Sequence, residues 1–287
     1  MFTYQKTITR ISIAISILAA FATLSAFFWS HPGSGYEFTT LRGEVVHIVG
    51  SGLYRYETLS FYAQAIAQDV ITLIVAVPLL LISLLHARRG SMRARVVLAG
   101  LLAYFLYTYA SYAFLSAFNE LYLVYVALFS LSLSGVILSF MSLNPEEVMA
   151  HISARYPRRG LGIFSILAAF LIAMMWMGRI LPAIFGQSTP VGLEAGSTLV
   201  IQSLDLGLVV PLGFLSGILL LKKQPWGYLL GSIFLFKATT LAMAVFVMAM
   251  NMLRMGVADT SLVETSIFGI ITALAVYFSI RVVKQIQ

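Results

Sequence analysis

One lysine stands deep in an apolar run. In "SIFLFKATTLAMAVF", Lys237 has no charged neighbour on either side. An ammonium in such a place can anchor an anion, carry a proton, or form a Schiff base once desolvation frees its lone pair. Three more charges fall inside apolar runs: Asp69, Asp205 and Arg179. The four sum to zero, as expected of groups that pair within a helix bundle.

Depth selects the partners. At about 1.5 Å per helical residue, Lys237 lies roughly 15 Å from the nearer boundary of its run and Asp205 roughly 13 Å from the opposite one. The two occupy similar depth on consecutive helices, which are usually neighbours. A direct Lys237–Asp205 pair is therefore expected. Arg179, in "MMWMGRILP", is expected to reach Asp69 or to extend toward water.

Helical spacing adds polar residues to this set. Thr198, Gln202 and Asp205 share one face, as do Gln64, Gln68 and Thr72, with Asp69 beside them. Tyr104, Thr108 and Ser111 form a third stripe, with Tyr107 and Tyr112 close by; Thr240 and Asn251 can share a face with Lys237. The inner halves, such as "LSLSGVILSF" and "GFLSGILLL", are far more apolar. A polar cavity open to the outside and closed toward the cytoplasm is the simplest arrangement. Lys237, Asp205, Asp69, Arg179, Gln68, Gln202, Tyr107 and Thr240 are its expected ligand-binding residues. The alternative is that these polar groups only join helices, or sit as interfacial tyrosines.

The elements that position them are membrane spans. Of the 287 residues, 60% are apolar and 10% charged, and the mean hydropathy is +0.94. A soluble domain carries roughly 25% charged residues. Eight segments are long and apolar enough to span a bilayer: 9–30, 63–86, 96–118, 121–143, 161–186, 198–221, 227–251 and 262–281. The first exceeds the usual length of a signal-peptide core and reads as a retained span. The fold class is all-α, a polytopic helix bundle forming a single integral membrane domain over 1–287.

Charge sets the orientation. "HARRGSMRAR", "SARYPRRG", "KKQPWG" and both termini hold thirteen lysines and arginines, against Arg42, Arg55 and Arg254 on the other side. The positive-inside rule places both termini in the cytoplasm. The net charge of +7 is then a topology signal, and no nucleic-acid partner is needed. Membrane lipids are the implied partners, in a cell membrane of prokaryotic cytoplasmic type. Glu37, Glu44, Glu57, Glu120, Glu194, Asp259 and Glu264 fall on the outer side or at its boundary.

The outer segment 31–62 carries "RGEVVHIVGSGLYRYE". Its alternation around Gly-Ser-Gly predicts a hairpin of Val45–Val49 with Leu53–Tyr56. Its charged residues, Arg42, Glu44, His47, Arg55 and Glu57, are expected on the wet face of a small lid, reading a ligand being the alternative.

"SILAAF" occurs at 16–21 and again at 165–170. In each half an amide and an acid, then a proline (Pro78, Pro211), then a basic loop follow in order. A 4+4 parallel duplication of 9–143 and 161–281 accounts for this, convergent patterning of membrane helices being the alternative.

The leading functional expectation is a bundle that binds, and in its fuller form transports, a small polar solute or ion. A receptor or sensor subunit acting through a protein partner is the second reading. A membrane-embedded enzyme using Lys237 is the third and least favoured. With no cysteine, thiolate chemistry and disulfides are excluded; no residue pattern names a cofactor.

Overall fold

The computed structural model describes residues 2–33, 35–186, 188–258 and 260–287. Asp259, expected among the outer acids, lies outside the described residues. Among the described residues, eight helices are long and apolar enough to cross a membrane: α1 Gln5–Phe28, α2 Leu59–Arg88, α3 Met92–Leu115, α4 Tyr122–Ser142, α5 Arg158–Gly186, α6 Val200–Leu221, α7 Pro225–Met255 and α8 Leu262–Val283. The chain is a multi-pass, all-α membrane protein.

Local chemistry sets the helix ends. Thr58 caps α2 by accepting from the Phe61 N–H, and Ser91 caps α3 by accepting from that of Ala94. α7 stops at Gly256, whose φ of 69° turns the chain left-handed so that its N–H meets a carbonyl of the last turn. α3 ends at Leu115, earlier than its hydropathy suggests, because the chain turns extended at Ser116.

α3 is the hub. In its most apolar window 67% of residues are buried, against 11% for α8. α3 packs on α2, α4 and α7, and α7 also packs on α2, α6 and α8. Glycines let helices approach closely. A Cβ on Gly100 would lie 2.6 Å from Cβ of Phe236 and 2.9 Å from the Ile233 carbonyl oxygen, so α3 and α7 touch backbone to backbone there. Gly217 on α6 faces Gly162 on α5 equally closely, the small-residue contact expected where lipid supplies no hydrophobic drive. Outward faces are apolar: Ile17 and Phe21 on α1, Leu167 and Phe170 on α5, Ile270 and Leu274 on α8 are exposed.

Both termini and the basic loops gather at one end, the terminal face. The Ser153 N–H donates to the Gln285 carbonyl (2.9 Å) and the Gln287 N–H to that of His151 (2.9 Å). Arg158 donates to the last carbonyls of α6, at 3.0 Å to Leu220 and 2.8 Å to Leu221, where a cation opposes the helix dipole.

The opposite end carries the hairpin. β1 (Tyr36–Thr39) pairs antiparallel with β2 (Val45–Ile48), Tyr36 opposite Ile48. The expected first strand, Val45–Val49, forms as β2, but it pairs backward with 36–39 and not forward with Leu53–Tyr56. Gly52–Tyr54 forms a 3-10 turn instead. Leu53 and Tyr54 are buried there, and Gly52 has φ +59° beside the Trp29 carbonyl. Burial beneath the loop overrode an alternation that read as a strand.

α2 and α6 share one irregularity. Thr72–Ala76 and Asp205–Val209 are π-helical turns, each followed by Val-Pro. Proline removes a backbone donor and crowds the carbonyl four residues earlier; one widened turn accommodates both. A single offset relates Thr72 to Asp205, Pro78 to Pro211 and Tyr104 to Lys237. Helix packing does not repeat so closely. α1 packs along α4, whereas α5 and α8 meet through side chains near their ends, Phe164–Phe278 at 5.2 Å and Arg179–Glu264 at 3.5 Å.

Candidate functional site

α3 presents two neighbouring faces. Tyr104, Thr108 and Tyr112 recur every four residues and look toward α2. Tyr107, one helical step around, looks toward α6 and α7.

The first face makes two closed polar clusters. Gln68 donates to the Tyr104 hydroxyl (2.5 Å) and to Thr108 (3.2 Å), and Thr72 bonds the same tyrosine at 2.9 Å. Asp69 accepts from Tyr54 (2.6 Å) and Tyr112 (3.1 Å). Both residues are buried and satisfied, so these stripes bind each other instead of lining open space. Asp69 receives neutral donors and no arginine.

The second face builds a charged line. The Lys237 Nζ lies 4.1 Å from the centroid of the Tyr107 ring. The Tyr107 hydroxyl donates to Oδ1 of Asp205 (2.7 Å), and Trp176 Nε1 donates to Oδ2 (2.8 Å). Lys237 and Asp205 are thus brought together, but through Tyr107: among the described residues no ion pair joins them. Tyr107 fills the gap on which the direct pair depended, giving its ring face to the cation and its hydroxyl to the anion. The Lys237 ammonium is buried with no hydrogen-bond acceptor among the described residues. Thr240, one turn further along α7, returns its hydroxyl to the Phe236 carbonyl (3.0 Å). Asp205 opens the π-helical turn of α6, its carbonyl accepting from the Val210 N–H.

Arg179 does not reach Asp69. It meets Glu264 of α8 at 3.5 Å, with both side chains partly exposed, and its guanidinium lies 5.6 Å from the Trp176 ring centroid. The longer route to Asp69 would have required burying it.

The hairpin-face segment is pinned to the bundle. Arg55 grips Glu120 with two bonds, at 2.5 and 3.2 Å. Glu57, expected on a wet face, is buried; it accepts from the Ala117 N–H (2.7 Å) and the Ser116 hydroxyl (2.9 Å). Burial pushes its carboxyl up to about 7, partly opposed by those two donors. The Arg55 hydrogen bonds hold the Glu120 carboxyl below its ordinary value. Thr58 donates to Glu194 in the α5–α6 connection, joining the halves at this face.

A cleft of about 310 Å³ opens beside that connection, lined by Arg42, Ile180, Thr198, Gln202 and Leu206 among others. Gln202 is the one expected site residue that lines it.

Two contributors were not singled out from sequence. Trp176 had a signal, since a deep indole N–H needs an acceptor. Tyr54 was hidden in the misread strand. No family model matches this chain, and neither a curated protein nor a solved structure matches it significantly.

Proposed function

We propose that this membrane protein binds a small anionic solute from the hairpin face, with Lys237 as the anchoring charge, and transports it or a coupled proton. One observation carries the reading: the Lys237 ammonium is buried, rests on an aromatic face and has no acceptor among the described residues. An ammonium has three donors, and leaving them unmet at membrane depth costs several kcal/mol. An anion supplies the missing acceptors. Release of a proton removes the charge instead, and Tyr107 links the nitrogen's neighbourhood to Asp205.

The hairpin face is the outer side in this reading, with both termini in the cytoplasm and the protein in a cell membrane. The partition of basic residues supports it. The shared offset of the π-helical turns and the Val-Pro pairs supports descent of the two halves from one four-span unit.

Proteoliposomes test the function. With an impermeant pH dye inside and a clamped potential, chloride, nitrate, phosphate, lactate and glutamate are supplied outside in turn. One of them is expected to drive proton-linked flux that Lys237→Met abolishes and Arg179→Gln leaves intact. Flux unchanged in Lys237→Met, or absent with every anion, overturns the reading.

A further inference from the structure

The cleft beside the α5–α6 connection has a composition of its own. Arg42 comes to it from the tip of the hairpin, a tight turn in which the Gly43 N–H donates to the Thr40 carbonyl (3.0 Å) and φ of Gly43 is +82°. No carboxylate pairs with Arg42 among the described residues. Of the two acids in the lining segment, Glu194 is engaged by Thr58 and Asp205 by Tyr107 and Trp176. Gln202 lines the same cleft with 8% of its surface exposed, and its amide has no hydrogen-bond partner among the described residues. That amide is not shut off from the cleft, so a ligand's oxygens can take its donors in place of water. Ile180 and Leu206 line the cleft as well.

We propose that this cleft binds an anion bearing an apolar tail. Arg42 would clamp its carboxylate or phosphate oxygens with the planar fork suited to them. Gln202 would donate to the same group, and the tail would lie against Ile180 and Leu206. Trp176 is one helical turn below Ile180, and Leu206 adjoins Asp205. The cleft thus stands directly above the Asp205 end of the charged line. It deepens the functional reading by naming the ligand class, and rests on it only for the side of arrival.

The test uses full-length protein in an uncharged detergent. Hexanoate is titrated against thermal stability, with hexanol and hexylamine as matched neutral and cationic probes. Hexanoate is expected to raise the Tm by several degrees and the other two to leave it unchanged. Arg42 is exposed on a turn, so Arg42→Gln keeps the fold; its apparent Kd for hexanoate should rise at least tenfold, and Gln202→Leu should weaken binding as well. A parallel arm places the protein in nanodiscs of phosphatidylcholine with or without phosphatidylglycerol and measures retained lipid by native mass spectrometry. Phosphatidylglycerol retention lost in Arg42→Gln, without a hexanoate response, identifies a lipid headgroup as the source of the anion and upholds the site. Equal shifts with hexanol, or binding of both probes unaltered in Arg42→Gln, overturn it. Lys237→Met should bind hexanoate normally. If it alone loses binding, the anion sits at Lys237, and the cleft proposal fails while the functional reading survives.

Discussion

The Lys237 ammonium sits over the ring of Tyr107, 4.1 Å from its centroid, while the hydroxyl of that tyrosine donates to Asp205 at 2.7 Å. The opposite charges are therefore coupled through a neutral aromatic group. Removing one partner of a directly bonded buried pair costs about 3–5 kcal/mol. Here the coupling between Lys237→Met and Asp205→Leu should be smaller, about 1 kcal/mol, of the order of a desolvated cation–aromatic contact. Tyr107→Leu should abolish it. Tyr107→Phe keeps the ring and should cost about 1.5–3 kcal/mol through the lost bond to the carboxylate. Thermal denaturation of the two cycles in detergent measures both quantities. Full coupling surviving in Tyr107→Leu would mean that Lys237 and Asp205 meet directly.

Much of this was legible in the sequence because hydropathy and helix length are local properties. All eight spans were readable within a few residues, as was the segregation of basic loops. The proximity of Lys237 to Asp205 followed from depth alone. What sat between them did not, because Tyr107 projects from a third helix and no spacing rule links α3 to α6. Asp69 reads as a charge in need of a base; its partners are two tyrosine hydroxyls, one of them on a turn that resembles a strand. Gln68 reads as cavity lining, yet meets Tyr104 directly. Polar stripes on facing helices look the same in sequence whether water or another stripe fills the space.

Gly100 sets the distance at which this arrangement works. Its missing Cβ allows α3 to meet α7 one turn from Tyr104, on the helix pair that carries Tyr107 and Lys237. Gly100→Ala should destabilise by about 1–3 kcal/mol through overpacking. It should also impair the Lys237-dependent flux. Gly178 on α5 has no atom within 4 Å of its Cβ position, so Gly178→Ala should be neutral or gain up to about 1 kcal/mol from helix propensity. Equal Tm values for the two variants would show that the α3–α7 contact is not tight.

Glu57 gives stability a pH dependence with a definite sign. Its carboxyl is raised by burial to about 7 in the folded chain, against about 4.3 when unfolded. The folded state keeps a proton that the unfolded state releases, so stability falls as pH rises from about 4.3 through about 7. The loss is at most roughly 4 kcal/mol. Glu57→Gln keeps an oxygen for the Ala117 N–H and has nothing to titrate. Its melting temperature should exceed that of the parent at pH 8 and match it near pH 5. A parent curve that rises across this window would contradict the burial of Glu57.

The hairpin and the terminal face should lie on opposite sides of the membrane, with the hairpin outside. Basic residues crowd the terminal face, where Arg158 and its neighbours meet helix ends, and cells retain such loops in the cytoplasm. The chain contains no cysteine, so single introduced thiols report cleanly. Glu44 on the hairpin and Ala154 in the α4–α5 connection are both exposed, and neither makes a side-chain bond that cysteine would remove. Glu44→Cys should react with an impermeant maleimide in intact cells. Ala154→Cys should react only after permeabilisation. The reverse pattern would invert the molecule, place the Arg42 cleft in the cytoplasm, and make an outward-facing solute route through it untenable. Labelling of both sites in intact cells would mean that an even number of helices crosses between positions 44 and 154, so that one of α2, α3 and α4 fails to span.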